Sequence, residues 1–126
     1  MPNVAMAALA QTIPLKESMM PNRRKLTSEG LDRVAGKFKA LADPTRLAII
    51  HALMEGEKSV SAVVEATGAS QPNVSRHLGV LLKAGLIGRR KAWPHSMYSI
   101  VDPSVTAMCE AMCASAQRDQ VAIYEE

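Results

Sequence analysis

Two sets of side chains in this 126-residue chain have types and spacings that could do chemistry. The first is Cys109 and Cys113, the only cysteines present. At i and i+4 on a helix, two such residues share one face with their Cβ atoms about 5 to 6 Å apart. A disulfide wants Cβ atoms about 3.8 Å apart, so the spacing is wide for one. It suits two thiolates gripping one soft ion or a trivalent arsenical, or a polysulfide bridge with more than one added sulfur. Both positions also fall on an apolar stripe, where cysteine serves equally well as a small buried hydrophobe.

The second set is Ser70, Gln71, Asn73, Ser75, Arg76, His77 and Lys83. Arg pairs bidentately with guanine, Asn or Gln with adenine, and Ser and Lys reach phosphates. Residues 66–101 contain no Asp or Glu, yet carry the cations Arg76, Lys83, Arg89, Arg90 and Lys91. The other ninety residues hold ten Lys or Arg against twelve Asp or Glu, so the net charge of +3 conceals a local basic footprint. Phosphate binding needs such a field, and a merely solvated amphipathic helix does not.

The second set requires a helix. Over residues 70–85, Ser70 is an N-cap, Pro72 lies in the first turn where its missing N–H costs nothing, and Gly85 supplies a stop. Val74, Leu78, Leu81 and Leu82 form its apolar stripe. Upstream, Leu31, Val34, Phe38 and Leu41 mark a first helix from near Ser28. Asp43-Pro44 opens a second that carries Ile49, Ile50 and Leu53. Ser59 or Ser61 caps a short third helix closed by Gly68, two residues before the reader begins. Two short helices joined by a tight Gly-containing turn make a helix-turn-helix.

Downstream, two β-prone runs flank Trp93-Pro94 and read as a hairpin, a wing with Arg89, Arg90 and Lys91 placed to reach phosphates. Trp93 is expected as a lid on this hairpin, with a tip contact as the alternative; His95, like His77, is expected on the DNA side. Asp102-Pro103 opens a last helix with Val105, Met108, Cys109, Met112 and Cys113 on its apolar side. Residues 1–25, with Pro2, Pro14, Pro21 and a basic end, read as a flexible leader, and residues 26–126 as one domain. The expected fold is mainly α with a small β-hairpin, a winged helix-turn-helix. Its first and last helices carry apolar faces that need cover, and pairing them across a two-fold axis predicts a homodimer on a palindromic double-stranded operator.

Composition excludes several classes. Four aromatic residues are too few for single-strand stacking platforms, and they leave an aliphatic, Met-rich core as the expectation. Two close cysteines do not make a secreted disulfide framework, and no apolar run reaches membrane-spanning length. The cytoplasm is the expected compartment, with no membrane partner.

The segments Leu41-Ala42-Asp43-Pro44-Thr45-Arg46-Leu47-Ala48-Ile49-Ile50 and Ser70-Gln71-Pro72-Asn73-Val74-Ser75-Arg76-His77-Leu78, with residues 81–88, resemble the ArsR/SmtB family of bacterial winged-helix repressors. The resemblance implies a homodimeric repressor that releases its operator when a metal, metalloid or reactive sulfur or oxygen species modifies it. The sensor departs from better-known members. No cysteine stands on the segment 58–63 before the turn, no histidine lies in 102–116, and His51 occupies the second-helix position where sulfide-responsive relatives place a cysteine. That leaves Cys109 and Cys113 as the candidate inducer site for arsenic(III) or another soft ion, with His51 as a candidate third ligand. The alternatives are a ligand-independent DNA-binding module with structural cysteines and a thiol oxidoreductase. The latter is disfavoured because Glu110, not a cation, lies between the thiols. No enzymatic activity is expected.

Overall fold

The computed structural model describes residues 24–125. These fall into two compact units, Leu26–Pro103 and one containing the chain from Ser104 onward, and each is taken by itself. The leader expected over residues 1–25 lies outside the described residues except for Arg24 and Lys25, which are exposed.

In the first unit, α1 spans Ser28–Leu41, its N-cap Thr27 accepting the amide of Gly30 at 2.9 Å. Glu29 in its first turn and Lys39 in its last complement the helix dipole. α2 spans Pro44–Leu53, where the Asp43 carboxylate accepts the amide of Arg46 at 3.0 Å and Pro44 sits at the first helical position. Strand β1, Lys58–Ser59, precedes α3, Val60–Thr67, whose cap is Ser59 rather than Ser61. Gly68 ends α3 at φ 73, a left-handed conformation that glycine adopts without strain. α4, Gln71–Lys83, follows with Ser70 as cap. Strands β2, Ile87–Ala92, and β3, His95–Ile100, pair antiparallel in the register Ile87↔Ile100 to Ala92↔His95 around a two-residue loop, Trp93-Pro94, whose peptide bond is cis.

The wing is larger than a hairpin. β1 pairs with β3, Lys58 opposite Tyr98 and Ser59 opposite Met97, giving a three-stranded sheet in the order β1-β3-β2. A two-residue strand has no room for an alternating pattern, and so its sequence does not announce it.

The core of this unit is aliphatic: Ile49, Ile50, Val63, Val74, Leu78, Leu81, Leu86 and Ile87 are buried, with Tyr98 beside them. The Met-rich expectation is corrected, because Met54 and Met97 are only half-buried. Burying each large side chain contributes about 1.5–3 kcal/mol, which fixes α4 by the stripe Val74, Leu78 and Leu81. In contrast, Leu31, Val34 and Phe38 on α1 are 54%, 41% and 51% exposed.

In the second unit, α5 spans Pro103–Gln117 and starts directly after Asp102, where the Asp-Pro pair predicts it. Cys109 and Cys113 stand one turn apart on it, both half-buried and both free thiols.

Candidate nucleic-acid interface and thiol pair

Burial of Val74, Leu78 and Leu81 turns the opposite side of α4 outward, so Gln71, Asn73, Ser75, Arg76 and Lys83 are all exposed, as is the cap Ser70. No carboxylate stands among them. Arg76 donates from Nη2 to Asn73 Oδ1 at 3.2 Å, one turn back along the helix. This bond holds the two polar side chains side by side while most guanidinium donors stay unused.

His77 is a correction. It is 6% exposed and lies on the buried stripe, since positions 74, 77, 78 and 81 share one helical face. Its ring meets Arg46, whose Nη1 lies 3.1 Å from Nδ1, while Nε2 stands 3.9 Å from Asp43 Oδ2. Arg46 joins this cluster through partners that no local sequence pattern marks. It donates from Nε to the carbonyl of Ala40 at 2.6 Å and from Nη2 to that of Lys39 at 3.2 Å. One guanidinium thereby closes the end of α1 and touches α4. The Asp43 carboxyl is held below its usual value of 3.8, chiefly by the Arg46 amide it caps.

On the wing, Arg89, Arg90, Lys91 and His95 are exposed. Arg90 needs a correction as a phosphate contact, because it forms a two-pronged ion pair with Glu57, Nε to Oε2 at 2.7 Å and Nη2 to Oε1 at 2.6 Å. That hydrogen bonding lowers the Glu57 carboxyl and raises Arg90. Glu57 lies outside the acid-free window of residues 66–101, and the pairing of β1 with β3 brings it to the wing. Among the described residues, Arg89 and Lys91 are the wing cations without an ion-pair partner. Trp93, expected as a lid, is 92% exposed at the tip of the hairpin. In a two-residue loop its ring has no strand to cover.

The Cys109 thiol differs from a catalytic one. Burial, then the neighbouring Cys113 and Glu110, push the Cys109 thiol above its ordinary value of 9.0. Tyr124 is likewise raised, by desolvation and then by the neighbouring Cys113. A thiol activated for exchange needs the opposite shift. His51 is exposed on α2, and among the described residues no three His, Cys, Asp or Glu side chains group to hold a metal ion. No helix among the described residues is long and apolar enough to cross a membrane.

Known proteins carry this arrangement. Residues 43–88, which span α2 to the start of β2, match the bacterial regulatory proteins of the arsR family. The chain is 42% identical over 74 residues to a probable mercury resistance operon repressor of Streptomyces lividans, covering 59% of each protein. The antimony-specific transcriptional repressor AntR superposes with a TM-score of 0.69 at 32% identity, covering 85% of this chain and 97% of AntR. A homodimeric winged helix-turn-helix DNA-binding domain from Mycobacterium bovis superposes with a TM-score of 0.65 at 28% identity, over 85% of this chain and all (100%) of that domain. These relatives are regulators of transcription, not enzymes. With the capped α2, the helix-turn-helix and the wing all present, the chain belongs to the ArsR/SmtB family of winged-helix transcriptional regulators.

Proposed function

We propose that the chain is a homodimeric repressor that reads a palindromic operator through α4 and the wing, and releases it when a thiol-reactive inducer engages Cys109 and Cys113. The observation that carries the DNA half is the exposed, carboxylate-free face of α4, with Gln71, Asn73, Ser75, Arg76 and Lys83 outward. Arg89 and Lys91 extend the cationic surface along β2, and Trp93 adds an apolar tip that only a partner can cover. The exposed Leu31, Val34 and Phe38 supply a face for a second copy, which would set two α4 helices about 34–36 Å apart, one turn of DNA. Residues 26–126 form the reading and dimerising part, residues 1–25 a leader, and the cytoplasm is the working compartment.

The sensing half rests on two free thiols one turn apart and on relatives named for mercury and antimony. Two sulfurs match a soft ion or a trivalent arsenical with two replaceable groups. Release requires that the loaded dimer disfavour the DNA-bound arrangement, a coupling of about 1 to 3 kcal/mol. The raised Cys109 thiol favours a second reading, in which both cysteines only pack.

Footprinting of the chain on its own promoter region, with arsenite, methylarsenite, mercuric ion, antimonite or a persulfide donor, tests both halves. Release by one of these, abolished in a Cys109→Ser, Cys113→Ser double variant that keeps wild-type operator affinity, is expected. Normal release by the double variant removes the thiol site, and absence of any footprint removes the operator reading.

A further inference from the structure

A groove of about 840 Å³ runs between α1 and the C-terminal end of α4, and its lining carries five cations against one carboxylate, Asp32. Two of the five are already engaged. Arg46 holds the carbonyls closing α1, and Lys37 pairs with Asp102 at 3.5 Å and reaches the Ala84 carbonyl at 3.5 Å. The other three, Arg33, Lys39 and Lys83, have no ion-pair partner among the described residues. Between these charges the walls are small and aliphatic, formed by Ala40, Val80 and Ala84, and a Cβ built on Gly36 would meet nothing within 4 Å. The hollow thus combines an apolar floor with a cationic rim.

We propose that this groove binds a small amphiphilic organic anion, a carboxylate or sulfonate on an aliphatic or aromatic body. The size is that of a ligand pocket, and such sites pair apolar walls with a few convergent charges. A DNA phosphate strand is the lesser fit, because it would use the rim and gain nothing from the floor. At 100° per residue, Gly36 and Ala40 stand on the side of α1 away from Leu31, Val34 and Phe38, so covering that apolar face with a second copy leaves the groove open. The site is separate from the thiols. Its influence on operator binding rests on the reading of α4 as the DNA helix, since the ligand would sit against the last turn of that helix.

The test begins without DNA. The probe is 8-anilinonaphthalene-1-sulfonate, followed by its fluorescence on the full chain, with laurate as competitor and neutral N-phenyl-1-naphthylamine as the uncharged control. Saturable binding of one dye per protomer, displaced by laurate, is expected, with the neutral dye about tenfold weaker for want of the rim charges. Gly36→Leu fills the hollow, and because it raises helix propensity at an open position it leaves the fold intact by circular dichroism. It should weaken the dye about tenfold or more. Arg33→Gln and Lys39→Gln should each weaken it about three- to tenfold. Equal dye binding by wild type and Gly36→Leu would place the dye elsewhere and overturn the proposal, as would no binding by the wild type. A third result would also overturn it: Arg33→Gln and Lys39→Gln lowering the salt slope of operator binding by about one ion each, with dye binding untouched, makes the groove a flanking DNA contact. In wild type, laurate should shift operator affinity, and Gly36→Leu should abolish that shift. Dye binding without any shift would keep the site and remove only its influence on operator binding, because a ligand with equal affinity for the free and DNA-bound chain shifts nothing.

Discussion

Among single side chains, charge alone does not identify a DNA contact; the partner does. Arg89 and Arg90 are neighbours on β2, but alternation along a strand sends them to opposite faces and only Arg90 meets Glu57. Removing a free phosphate-facing cation lowers the salt slope of binding by about one, so Arg89→Gln should do this in salt titrations of operator affinity. Arg90→Gln should change the slope far less, because its charge is already balanced. Arg76→Ala removes a candidate bidentate base contact and should cost about 1–3 kcal/mol of operator binding. Trp93 is the only tryptophan in the chain, so its emission reports the wing tip directly. It should shift when operator is added, and an unchanged spectrum at saturation would leave the tip outside the interface. The raised Cys109 thiol fixes the sign of a pH effect. The thiol is protonated at neutral pH, a soft ion must displace that proton, and the ion's apparent affinity should climb as pH rises from about 6 to 8. The polarity of His77 points to an outward position, but the stripe Val74, Leu78 and Leu81 encloses position 77 and the ring is buried.

Among helices and strands, legibility follows the range of the signal. Thr27, Asp43, Ser59 and Ser70 each accept an amide three residues ahead, a bond made within one turn, and residue type alone picks out Asp43 and Ser70 and narrows the third to Ser59 or Ser61. The stripe of α4 was equally plain, and it makes the helix sensitive to truncation. Leu78→Ala should cost about 2–5 kcal/mol of stability, seen as a lower midpoint in thermal or urea unfolding. β1 and the Glu57–Arg90 clasp stayed hidden for the same reason. Both depend on partners more than thirty positions away, Lys58 opposite Tyr98 and Glu57 against Arg90, and no local pattern encodes such a meeting. The exposed tip at Trp93 is a further case: a two-residue loop gives its first side chain nowhere to lie.

For the whole molecule, the apolar face of α1 is the feature that a single chain leaves uncovered. Leu31, Val34 and Phe38 recur at helical spacing, yet stay outside the core that holds α2, α3 and α4. Phe38→Glu places a charge in the proposed subunit contact and should yield a monomer by sedimentation equilibrium. Losing simultaneous engagement of two half-sites should then weaken operator binding by about 10²–10⁴-fold. A dimeric Phe38→Glu variant with full affinity would put the contact elsewhere. Arg46 bears on this boundary through its place in the fold. Its planar head is bolted to the Lys39 and Ala40 carbonyls on one edge and to the His77 ring on the other. The helix that would meet the sister subunit and the helix that would enter the major groove therefore share a rivet, and neither can pivot without straining the other's hinge.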